Sequence, residues 1–91
     1  MKLVRDKIPE LFGGKTKKAE DSEYLKELAK KLQEEVDEFK KDGKIEELAD
    51  IMEVIYAIVD HLGISKERLE EIRMKKKEER GGFKEKLMWE K

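Results

Sequence analysis

Apolar side chains recur at helical spacing through most of this chain. Leu25, Leu28, Leu32, Val36 and Phe39 fall three and four residues apart, which puts them on one face of a helix. Asp21 or Ser22 can N-cap that segment, and Asp42-Gly43 ends it, Gly43 being suited to the left-handed C-terminal position. A second helix is predicted from about Lys44 to Leu62. Ile45, Leu48, Met52, Ile55, Val59 and Leu62 form its main stripe, and Ile51, Val54 and Ile58 lie on an adjoining face. A helix apolar over so much of its circumference is expected to be buried on several sides, in a central position and at a subunit interface. Ser65 opens a third helix, with Ile64 and Leu69 spaced as a hydrophobic staple, and Gly81-Gly82 closes it.

The two ends are less regular. Residues 1–20 combine Leu3, Val4, Ile8, Leu11 and Phe12 with Pro9, Gly13-Gly14 and a basic run. They read as an extended arm, a turn and a loop whose apolar residues pack on the helices. The tail from Phe83 to Trp89 reads as a short strand or ordered coil. The expectation is an all-α, three-helix protomer: an antiparallel helical hairpin, a third helix, an N-terminal arm and a C-terminal tail in one domain spanning residues 1–91. A 91-residue chain with 37% hydrophobic residues buries little apolar surface alone, so a helical-bundle homodimer or higher homo-oligomer is expected.

Composition narrows the chemistry. Charged residues make up 49% of the chain, but 22 basic and 23 acidic side chains nearly cancel, giving no overall pull toward nucleic acid or membrane. With no cysteine and one histidine, any metal would be held by oxygen, which favours Mg²⁺, Mn²⁺ or Ca²⁺. The opening residues lack the apolar stretch of a signal peptide and no segment is long enough to span a bilayer, so a cytoplasmic location is expected.

The distribution of acids is more informative than their number. Glu35 and Glu38, then Glu47 and Asp50, are pairs spaced three apart, so each pair shares a helix face one turn apart. Reflection about the Asp42-Gly43 turn sets Glu38 opposite Glu47 and Glu35 opposite Asp50 at matching heights in an antiparallel hairpin. At about 100° per residue, Glu35 and Glu38 lie roughly 60° and 120° from the apolar axis, whereas Glu34 lies almost opposite it. A chain this acidic contains Glu-x-x-Glu patterns by chance; the mirrored placement beside apolar surfaces sets this one apart. Converging carboxylates repel one another, and a hard divalent cation relieves that cost. On the third helix, continuing the Leu69–Ile72 face reaches Arg73, Lys76 and Arg80, either as salt-bridge partners for the acids or as phosphate contacts.

Three signatures then resemble the MazG-like nucleotide pyrophosphohydrolases, within the all-α NTP pyrophosphatase superfamily that includes phosphoribosyl-ATP pyrophosphohydrolase-like proteins. They are Lys2-Leu3-Val4-Arg5-Asp6-Lys7-Ile8-Pro9-Glu10, the acidic quartet, and Glu79-Arg80-Gly81-Gly82-Phe83, which together cover nearly the whole chain. The resemblance implies Mg²⁺-dependent cleavage of a nucleoside triphosphate between the α and β phosphates, yielding a monophosphate and pyrophosphate, in a nucleotide-pool house-cleaning role. It implies metal positions at Glu35, Glu38, Glu47 and Asp50, and basic substrate contacts at Lys76 and Arg80, with Arg73 beside them. Arg5 and Lys7 belong to the opening motif and join the candidate substrate-binding set. The expected proton acceptor for the attacking water is Glu38 or Glu34. The competing reading is a non-catalytic helical dimerisation module whose acids hold a structural cation. Nucleic-acid binding is disfavoured, because the acidic hairpin repels phosphate and no aromatic-basic stacking pattern accompanies the cations.

Overall fold

The computed structural model describes residues 1–90 and is all-helical, with no strand among the described residues. Its helices are α1 (Ile8–Phe12), α2 (Asp21–Asp42), α3 (Ile45–His61) and α4 (Lys66–Arg80). The first is a correction. The arm read as extended contains a five-residue helix that starts just before Pro9, whose fixed φ and missing N–H suit a first turn. The tail after Arg80 forms turns and irregular chain rather than a strand.

Local chemistry explains the boundaries. Glu20, not Asp21 or Ser22, is the N-cap of α2, and the Glu23 carboxylate accepts the Glu20 backbone N–H at 3.0 Å. Gly43 closes α2 at φ 65° and ψ 19°, its N–H donating to the Phe39 carbonyl. Only Lys44 separates that glycine from α3, so α2 and α3 fold back as an antiparallel hairpin, the main helix packing in the chain. The Ser65 hydroxyl caps α4 by accepting the Arg68 N–H at 3.0 Å.

The core is thin. Leu28 from α2 and Val54 and Val59 from α3 are buried, and Leu28 is only 2% exposed. Much of the main stripe of α3 remains open to solvent, including Ile45 at 71% exposed, together with Leu48, Met52 and Leu62. No residue of α4 is buried, and Ile72 and Met74 are exposed. Trp89, at 88% exposed, does not close the protomer's core. The radius of gyration is 16.3 Å, against about 12 Å for a compact domain of this length. Among the described residues, no helix is long and apolar enough to cross a membrane.

Candidate metal and substrate site

The hairpin geometry draws the acids together. Glu35 from α2 and Glu47 and Asp50 from α3 bring one carboxylate oxygen each within 4.8 Å of one another. Glu38, Asp42 and Glu47 form a second such group. Glu47 belongs to both, so the mirrored pairs Glu38–Glu47 and Glu35–Asp50 are joined through one side chain. Glu35, Glu47 and Asp50 are half-buried, while Glu38 and Asp42 are exposed nearer the turn.

Like charge is concentrated at Glu47. Partial burial, followed by the charges of Asp50, Asp42, Glu38 and Glu35, pushes its carboxyl above the ordinary value of 4.5. Every donor in the two groups is a carboxylate oxygen, which fits a hard cation such as Mg²⁺ or Mn²⁺ and not a thiolate- or imidazole-seeking metal. The single histidine is elsewhere: His61 stacks edge-on against Tyr24, ring centroids 5.0 Å apart.

Glu34 is differently placed. It accepts hydrogen bonds from Lys2 and from Lys31, each at 3.3 Å. Burial raises its pKa, but those two lysines outweigh burial and hold the carboxyl below its ordinary value. The wheel sent Glu34 toward solvent; the lysines instead cover it to a half-buried state. Lys31 also reaches Glu35 at 3.4 Å, one turn along α2.

Beside the acids lies a cleft of about 420 Å³. The opening segment from Leu3 to Lys7 forms one wall, and Tyr24, Leu28 and Val54 supply apolar lining. Lys31, Glu35, Asp50 and Glu53 bring charge to it. Arg5 donates to Asp50 at 2.5 Å, linking two residues 45 positions apart. Comparisons with protein-family models, curated proteins and solved structures return no match. The candidate site therefore stands on its residues and their geometry.

The α4 cations are arranged otherwise than the helical wheel suggested. The Leu69–Ile72 face of α4 meets no core, because only Leu69 on α4 is even half-buried. Arg73 pairs with Glu70 on its own helix, its Nε 2.8 Å from the carboxylate. That hydrogen bond lowers the Glu70 pKa and raises that of Arg73. Lys76 and Arg80 are exposed, and among the described residues none of the three forms an ion pair with the hairpin acids.

Sequence reasoning missed four residues here. Asp42 was assigned to the turn, although it lies four residues past Glu38 on the same helix. Glu53 follows Asp50 by three, the same spacing that selected the other acids. Lys31 precedes Glu35 by four, a spacing at which helix ion pairs form. Only Lys2 carried no local signal, since its partner Glu34 is 32 positions away.

Proposed function

We propose that this chain is a divalent-cation-dependent nucleoside triphosphate pyrophosphohydrolase of the MazG-like kind, releasing a nucleoside monophosphate and pyrophosphate. The observation that supports this best is the convergence of four carboxylates on Glu47 beside a cleft walled by the opening segment. Glu35, Glu38, Glu47 and Asp50 would hold Mg²⁺ or Mn²⁺, with Asp42 joining Glu38 and Glu47. Such a cation, when bound, supplies phosphoryl polarisation and a more acidic attacking water.

The protein's own groups divide the remaining work. Glu38 is exposed and, among the described residues, outside any ion pair, so it is the better proton acceptor for the attacking water. Glu34 is held by two lysines and its lowered pKa makes it the weaker base. Tyr24, with Leu3 and Val4 of the opening segment, offers an apolar surface to the nucleoside portion, in a cleft whose volume lies at the lower end of the range for small-molecule sites, roughly 300–1,000 Å³. Arg5 and Lys7 at the cleft wall can offset phosphate charge. Arg73, Lys76 and Arg80 would act on phosphate through assembly of the protomer into a homo-oligomer, the same assembly that covers the α3 stripe.

The test is a panel of canonical and damaged NTPs incubated with Mg²⁺ or Mn²⁺, assayed for monophosphate and pyrophosphate. Pyrophosphate release from at least one, abolished in Glu47→Gln, is the expected result. No release from any substrate with either ion would leave the dimerisation module with a structural cation as the better reading.

A further inference from the structure

The opening arm does more than wall the cleft. Lys2 is paired with Glu34 on α2 and Arg5 with Asp50 on α3, so residues 2–5 straddle the hairpin from one helix to the other. Between those two tethers Leu3 is half-buried and lines the cleft. Beyond them, the Arg5 carbonyl accepts the Ile8 N–H at 3.0 Å, which joins the arm to the start of α1. Both ion pairs are partly exposed, with Lys2 and Arg5 more open than the acids they meet. Exposed pairs of this kind are weak and exchange readily.

Asp50 is also one of the three carboxylates that converge with Glu35 and Glu47. A guanidinium on Asp50 neutralises part of the charge that would attract a divalent ion, and its own charge repels that ion. We propose that the Lys2–Arg5 arm is a cation-sensitive latch: Arg5 occupies Asp50 until a divalent ion takes that carboxylate, whereupon the Arg5 guanidinium is freed to meet phosphate at the cleft wall. This rests on reading the acidic cluster as a cation site. The latch sets the cation affinity of the site and couples cation binding to release of Arg5 from Asp50. Linkage makes the coupling reciprocal, so whatever loosens the arm tightens the cation.

Calorimetric titration with Mn²⁺ alone, at low salt and without nucleotide, tests this on the full chain and three variants. Arg5→Gln removes the competing charge and should bind Mn²⁺ about two- to five-fold more tightly, the scale of one exposed ion pair. Lys2→Gln cuts the other tether without touching any carboxylate of the two groups, and should shift affinity the same way by a smaller factor. Lys30→Gln, whose lysine pairs with Glu27 away from the site, controls for net charge and should leave affinity unchanged. Mg²⁺ should also move the Arg5 side-chain Nε–Hε NMR signal toward that of a free arginine. Equal affinity in wild type and Arg5→Gln overturns the latch, as does absence of Mn²⁺ binding to both. Equal shifts in Lys2→Gln and Lys30→Gln overturn it too, since net charge alone would then account for the effect. Hydrolysis without these shifts would leave the enzyme reading intact and remove the latch; these shifts without hydrolysis would do the reverse.

Discussion

Glu47 is the residue whose replacement should separate folding from cation binding. Glu47→Gln keeps the shape of the side chain and removes its charge. Because Glu47 is shared by both carboxylate groups, the substitution weakens both at once. Glu38→Gln and Asp50→Asn each weaken one. Loss of an outer partner of a metal ligand costs about 10–100-fold in affinity, and loss of a direct ligand costs at least as much. Mn²⁺ affinity should therefore fall by about 100-fold or more in Glu47→Gln and by about 10-fold in each of the other two. Stability should move the other way. Burial and four neighbouring acids raise the folded-state pKa of Glu47 above 4.5, so the folded chain binds that proton more tightly than the unfolded chain. Stability attributable to Glu47 is then fully present below the ordinary value and is lost as pH rises through the raised one. Glutamine abolishes that loss. Without cation, the variant should be at least as stable as wild type at neutral pH, with a flatter pH dependence above 4.5. Urea unfolding across pH, with and without Mn²⁺, together with calorimetric titration, measures both halves. Mn²⁺ binding within twofold of wild type, or a cation-free variant clearly less stable than wild type at pH 7, would refute the reasoning.

Three further outcomes follow from the fold. Leu28→Ala empties the most buried position among the described residues and should cost about 3 kcal/mol in urea unfolding; a loss below about 1 kcal/mol would mean that the hairpin is not the core. Gly43→Ala places a Cβ at φ 65° with no atom within 4 Å, so the backbone alone opposes it. The expected cost is about 1 kcal/mol, and a neutral effect in thermal melting would show that the left-handed cap contributes little. Met52→Glu puts a charge into the exposed α3 stripe and should shift sedimentation toward the monomer; a wild-type chain that sediments as a monomer at all concentrations would exclude the proposed assembly.

Local features were legible in the sequence because their causes are local. Gly43 and Ser65 mark helix ends through their own backbone and side chain, and both act as their residue types suggest. The mirrored acids were legible for a related reason: a tight turn fixes which residues of two antiparallel helices share a height. Glu20 escaped notice because its long side chain is not a usual N-cap, while Glu23 supplies the return hydrogen bond. A five-residue α1 is too short to express a period at all. The Arg5–Asp50 contact joins residues 45 apart, and no spacing rule reaches that far.

The misreading of α4 has a physical cause that also bears on assembly. Continuing the Leu69–Ile72 face assumes a packed layer for that face to meet. In the protomer α3 spends one face against α2 and little against α4, so Ile72 stays exposed and Arg73 turns to Glu70 on its own helix. The open stripe of Ile45, Leu48, Met52 and Leu62, the lack of a buried residue on α4 and the large radius of gyration express the same deficit. A two-helix hairpin has one apolar seam, and α3 carries apolar residues for more than one. Isolated in water, those residues gain nothing from their helix's amphipathic design; covered by a second copy of this chain, each would add roughly 25 cal/mol per Å² of buried apolar surface. The self-association proposed above would cover that stripe, and the acidic cluster, built where α2 and α3 meet, draws on other positions of α3.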